Sequence, residues 1–201
     1  MFEVDRHQIC STDPWDSNRA RDVAIAEFQS SQAHLKARCW RNFGEDIIGP
    51  TSLYQGAFGV LWAMHYLSHA LDMELEFSAP EMALEIFEDF ERYEAVTFAR
   101  VVENPTASYY VGRSGALNVL QKVAPEKYSS YQAELIEIAR SNLANPSLEI
   151  LWGGSGSILP ILNNLERAPN DESLATLFVE QLEYLKSQLV HAEDYDCEVW
   201  I

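Results

Sequence analysis

His65 and His69 stand four residues apart in the stretch L-W-A-M-H-Y-L-S-H at 61–69. On a helix that spacing sets both imidazoles on one face, as metal-binding helices do. No H-E-x-x-H pattern accompanies them, and no spacing recommends a third ligand such as Glu74. The preferred reading is two histidines in a crowded, partly polar interior, and no metal is assigned. Cys10, Cys39 and Cys197 are far apart and form no C-x-x-C pair, so neither a disulfide framework nor a Cys-rich zinc site is indicated. Cys197 lies between Asp196 and Glu198, whose charges disfavour a thiolate. Arg113 could hold an anionic peptide or a carboxylate, or pair with one of the many acidic side chains; the second reading is preferred. Ser114 and Ser155 sit inside glycine turns. A nucleophile elbow needs a strand before the turn, so these serines read as helix N-caps. Tyr54, Tyr109, Tyr110 and Trp152 precede glycines, where they line a peptide-binding bowl or serve packing; packing is preferred. No catalytic or cofactor-binding residue is assigned.

The elements that position these residues are announced by glycine. Seven of the nine glycines fall in three G-x-x-G copies: Gly56–Gly59, Gly112–Gly115 and Gly153–Gly156. Each follows an apolar or aromatic pair and opens an apolar run. Successive copies begin 56 and 41 residues apart, long enough for one helical hairpin each. Repetition at such periods is the mark of stacked repeats. An amphipathic helix is expected from about Ser17 to Arg41, followed by a loop containing Gly44, Gly49 and Pro50. Three short apolar helices then alternate with three longer polar ones. The short ones run over about 57–70, 112–123 and 156–165 and call for burial on nearly all sides. The long ones run over about 79–101, 128–143 and 172–189 and want one wet face. Ser78, with Glu81 three residues on, and Asp171 are the expected caps. Inner helices sheathed by outer helices satisfy both demands. The fold class is therefore all-α: a partial α/α toroid, an open arc of about three hairpins. The motif glycines serve positive φ or close helix approach, and the amides at each helix start are expected to face the ring's centre.

The chain carries 14 basic and 31 acidic residues, a net charge of −17. This argues against non-specific binding to nucleic acid or anionic membranes, which needs a basic patch. There is no basic-then-apolar leader, no Gly at position 2 and no apolar run of about 20 residues. A reducing, cytoplasmic location is the expectation.

Three segments carry a family resemblance: S-L-Y-Q-G-A-F-G-V-L at 52–61, A-S-Y-Y-V-G-R-S-G-A-L at 107–117 and L-E-I-L-W-G-G-S-G-S-I-L at 148–159. They resemble, in order, the first three inner-helix starts of the lanthionine synthetase C-like family. The resemblance implies an α/α toroid of about seven repeats and zinc-dependent addition of a thiol to a dehydroamino acid in a peptide. The metal would hold the thiol as thiolate. The family takes its zinc ligands from later repeats, a Cys in one and an adjacent Cys-His pair in another. This sequence has no Cys-His dipeptide. No ligand is therefore carried over, and no cofactor is assigned to this chain.

The expected organisation is one domain over 1–201. It comprises an irregular lead at 1–16, a helix and loop at 17–51, three hairpins at 52–193 and the lead into a fourth repeat at 194–201. That makes the chain the N-terminal half of a toroid, as a truncated product, a fragment or a degenerate relative, inactive alone. Its expected partner is a peptide or protein at the centre of the arc, with self-association through exposed inner helices. Two alternatives stand beside this reading. One is a non-catalytic helical-repeat interaction module. The other is another α/α toroid enzyme such as a glycoside hydrolase, which needs two carboxylates roughly 5–9.5 Å apart at the centre; acids such as Glu149 fall mainly on outer helices and motif leads.

Overall fold

The computed structural model describes residues 16–42, 49–97, 108–145, 147–148, 150, 153–192 and 197–199. Within them the chain is mainly helical. Helix α1 (Ser17–Lys36) begins at Asp16, whose carboxylate accepts from the amides of Asn18 and Arg19 at 3.0 and 3.1 Å. It stops five residues before the expected Arg41. Arg38 takes a left-handed φ of 51°, and Cys39–Asn42 form a 3-10 turn. That turn presents Arg38, Trp40 and Arg41 to the third helix.

Helix α2 (Ala57–Leu71) ends at Asp72, a left-handed cap at φ 55°, with the Met73 amide donating to the Ser68 carbonyl. Asp tolerates this conformation because its short polar side chain can satisfy local backbone. Helix α3 (Ala79–Thr97) starts at Ser78, whose hydroxyl accepts from the Glu81 amide at 3.4 Å. Its Met82, Ala83, Ile86 and Phe90 form a buried stripe at helical spacing. Helix α4 (Arg113–Val123) leads through a 3-10 turn at Pro125–Lys127 into α5 (Tyr128–Ser141). A 3-10 turn at Gly154–Ser157 leads into α6 (Ile158–Arg167). Helix α7 (Glu172–Ser187) is capped by Asp171, which accepts from the Ser173 and Leu174 amides. Val190–Ala192 then pairs antiparallel with Cys197–Val199, Val190 opposite Val199, as strands β1 and β2. The sequence did not announce this strand pair.

The helices pack as hairpins side by side: α2 with α3, α4 with α5, α6 with α7. The short helices also meet in series, with α4 between α2 and α6, while α1 covers a further side of α2. Burial follows neighbours. In α4 every residue except Arg113 and Lys122 is buried. In α2 only Ala57, Phe58, Leu61 and Met64 are buried. The expectation that α2 is buried on nearly all sides is thus corrected: Val60 is 37% exposed, Tyr66 66%, and Ala63 and His69 also face outward. Apolar composition records what a helix tolerates, not which faces its neighbours reach. Helix α6 is intermediate, with Pro160, Ile161 and Asn164 buried and Leu162 exposed.

The end of α1 is clamped to α3 by charge. Arg38 donates through Nε and Nη2 to both Glu85 oxygens at 2.8 Å. Arg41 reaches Glu85 at 2.9 Å and Asp89 at 2.6 Å, and Trp40 Nε1 donates to Asp89 at 2.9 Å. The Arg38 hydrogen bonds hold the Glu85 carboxyl below its ordinary range; burial opposes them and the charges of Arg38 and Arg41 assist. A carboxyl with a lowered folded pKa stabilises fully above its unfolded value and loses that contribution as pH falls through the folded one. Glu85→Gln is therefore expected to cost at most about 1 kcal/mol at pH 7, the site being largely open to solvent. The gap from wild type should close as pH falls through and below the ordinary carboxylate range. Urea unfolding curves of the two proteins across that range check it.

Candidate functional site

The three glycine turns share their capping geometry, although the first two open α-helices and the third a 3-10 turn. Gly56, Gly112 and Gly153 cap their helices with φ/ψ of −116/−171°, −102/−170° and −117/−175°. All three are extended, so positive φ is not what the motif glycines supply. The second glycine of each copy lies against the carbonyl six residues upstream. A Cβ on Gly59 would overlap the Leu53 oxygen, and one on Gly115 the Tyr109 oxygen. One on Gly156 would stand 3.0 Å from the Ile150 oxygen. The same glycines touch the preceding copy. A Gly115 Cβ would meet Leu53 Cδ2 at 3.2 Å, and a Gly156 Cβ would meet Tyr109 Cβ at 2.6 Å. Leu53 and Tyr109 hold the same position in their copies. The motif is thus a junction: its bare Cα lets one turn close on itself and the previous turn lie against it.

The helix-start amides do not face an open centre at α2. Ala57, Phe58 and Gly59 donate back to the carbonyls of Pro50, Thr51 and Ser52 at 2.9, 3.3 and 3.3 Å. Orphan donors satisfied by their own loop leave no anion cradle there. Nor are Ser114 and Ser155 N-caps, since the glycines occupy those positions. Ser114 is buried and donates to the Ser108 carbonyl at 2.9 Å, closing the turn from inside.

The aromatics of the first two turns gather. The Tyr54 amide donates to the Tyr110 carbonyl at 2.9 Å, and their rings meet edge-on at 6.0 Å. Tyr110 meets Tyr109 in the same manner at 5.2 Å. Tyr109 accepts from Asn118 Nδ2 at 3.2 Å, and burial pushes its phenol pKa up. Tyr54 is 59% exposed, so the group ends in an open aromatic face. Trp152 and Glu149 lie outside the described residues. Arg113 turns toward the long helices: it pairs with Glu134 of α5, and its guanidinium stands 4.5 Å over the Phe87 ring of α3.

No family model, characterised protein or solved structure matches the chain.

The histidines do lie together on α2. Their ring centroids are 4.9 Å apart with planes at 89°, and Trp62 stacks on His65 at 6.0 Å. Burial, then the neighbouring His69, lowers the His65 pKa. Glu74 is exposed beyond the end of the helix. Among the described residues no three of His, Cys, Asp and Glu stand where they could hold one metal ion. Cys39, half-buried in the 3-10 turn, forms part of no such group. These residues do not fit the zinc centre implied by the resemblance. Among the described residues no helix is long and apolar enough to cross a membrane.

A row of amides between α4 and α6 went unread in the sequence. Asn163 donates to Asn118 at 3.0 Å, and Asn164 donates to Gln121 at 2.5 Å and to the Pro160 carbonyl at 2.7 Å. Arg167 donates to the Gln121 carbonyl. Behind them, Gln181 of α7 donates to Ser157 and to the Ala139 carbonyl at 2.7 and 2.8 Å. The available signal was Asn118 and Gln121, three residues apart and so on one face of α4.

Proposed function

We propose that this chain is a helical-hairpin scaffold of the lanthionine synthetase C-like type, its inner helices arranged along an α/α arc that binds a peptide. Zinc-dependent thiol addition is not the work of the residues in this chain. The observation that carries the reading is the repeated junction: three capping glycines with one backbone conformation, each copy with its second glycine against the carbonyl six residues back. That regularity supports a curved stack of equivalent units, whose concave side is where solenoids bind. The exposed Tyr54 face and the uncovered side of α2 supply the aromatic and apolar contacts a peptide uses. The interaction-module reading agrees with this one on binding and differs only in ancestry.

The test is a labelled dehydroalanine-containing peptide titrated into the purified chain by fluorescence anisotropy, with zinc and glutathione present. Saturable binding is expected, weakened at least about fivefold by Tyr54→Ala, since aromatic anchors dominate such contacts. Mass spectrometry should find no thiol adduct beyond that formed in the absence of the protein. Absence of binding sinks the scaffold reading; adduct formation faster than the protein-free reaction sinks its non-catalytic half.

A further inference from the structure

We infer that His65 and His69 form an open, two-histidine site for a divalent late transition ion on the uncovered side of α2. The pair stands one turn apart with centroids 4.9 Å apart. An ion at an ordinary metal–imidazole bond length of about 2.0–2.1 Å lies about 3.2 Å from each centroid. The observed spacing then gives an angle of about 100° at the ion, between the square-planar and tetrahedral values. The rings meet edge to face with planes at 89°, and rotation of the exposed His69 about χ2 brings one of its nitrogens to a point that a His65 nitrogen also reaches.

The nitrogens are available. Neither imidazole makes a hydrogen bond among the described residues, whereas His34 Nδ1 is engaged by the Ser30 carbonyl at 2.8 Å. His69 is exposed and His65 half-buried, so an ion reaches the pair from solvent. Trp62, stacked on His65, limits the motion of that ring. The repeat does not require histidine at these positions: counted from the first motif glycine, the equivalents of His65 are Gln121 and Leu162, and those of His69 are Pro125 and Glu166. With no third protein ligand among the described residues, the remaining positions fall to water or an incoming donor. Imidazole donors and the usual affinity order place Cu(II) first, with Ni(II) and Zn(II) behind.

The whole chain is titrated at neutral pH with Cu(II), Ni(II) and Zn(II), followed by calorimetry and tryptophan emission. One saturable site is expected, tightest for Cu(II). Even the loss of an outer-shell partner weakens metal sites 10–100-fold, so His69→Ala and His65→Ala should each weaken this one by at least about tenfold. His34→Ala should leave it unchanged. Cu(II) quenching should fall in Trp62→Phe while calorimetric binding persists. His69 is exposed, so its variant keeps the fold, checked by circular dichroism. Absence of saturable binding, or binding that survives the double variant His65→Ala/His69→Ala, overturns the inference.

Discussion

Gly115→Ala is expected to destabilise the protein by about 3 kcal/mol, or to prevent folding outright. The sign is the informative part. Gly115 lies inside α4, where intrinsic propensity alone favours alanine by about 1 kcal/mol. The packing says otherwise. A Cβ there would overlap the Tyr109 carbonyl oxygen and press on Leu53 Cδ2 at 3.2 Å. The first neighbour is backbone and cannot swing away. Relief requires moving the Tyr109 turn, which carries the backbone bond from Tyr54 to Tyr110 and so joins the first two hairpins. For a chain of this size the loss corresponds to a fall in Tm of roughly 6–12 °C. Gly59→Ala should behave alike, because its Cβ would overlap the Leu53 oxygen. Ser155→Ala, at a half-exposed position of the third turn, should stay within about 0.5 kcal/mol of wild type. Thermal and urea unfolding by circular dichroism decide the matter. A stabilised Gly115→Ala would mean that the glycines mark helix starts and nothing more.

Much of the helical plan was legible because its signals are local. Asp171 and Ser78 cap α7 and α3 through oxygens that reach amides two or three residues on, and such spacings can be read directly. The early end of α1 was not legible. It turns on a left-handed φ at Arg38, where the residue type gives no sign of it, and on an Arg38–Glu85 contact spanning 47 residues. The role of the glycines was half legible. Their spacing gives the period, but close approach to Leu53 and Tyr109 depends on how one turn lies on the next. The histidine pair was legible as a pair from its spacing. Its exposure was not, because that depends on which side of α2 is left uncovered.

The amide row shows where composition misleads most. The apolar core falls into two clusters among the described residues. The larger runs from Phe28 of α1 through α2, α3 and α4 to Leu135 and Ile138 of α5. The smaller joins Ala139, Ile161, Leu174 and Leu177 of α5, α6 and α7. Between α4 and α6 the contact is made largely by amides, so the third hairpin is tied to the second by hydrogen bonds more than by hydrophobic burial on that side. The hydrogen bonds are directional and fix register, yet each contributes only about 1 kcal/mol net. That seam is the place where the third hairpin should open first in native-state hydrogen exchange.

The same seam gives the second large effect. Gln121 and Asn164 are both buried, and one hydrogen bond joins them, from Asn164 Nδ2 to Gln121 Oε1. Among the described residues Gln121 Nε2 and Asn164 Oδ1 have no partner, so the pair already carries a desolvation cost. Asn164→Leu alone removes the donor and leaves the whole Gln121 amide buried and unpaired. The expected loss is about 2–3 kcal/mol, since stranding a buried polar group costs more than its hydrogen bond contributes. Replacing both partners by apolar groups of similar shape removes that penalty. Gln121→Met/Asn164→Leu is therefore expected to lie within about 1 kcal/mol of wild type, or above it. The coupling between the two sites should reach about 2 kcal/mol, far outside the 0.3–0.5 kcal/mol scatter of independent sites. Urea unfolding of the two singles and the double measures it. If the two single losses simply add, the amides do not act as a pair and the seam is held by the surrounding apolar contacts. If the double variant recovers, the amide pair sets the register of the third hairpin against the second at a cost in stability, as buried polar pairs do where alternative packings must be refused.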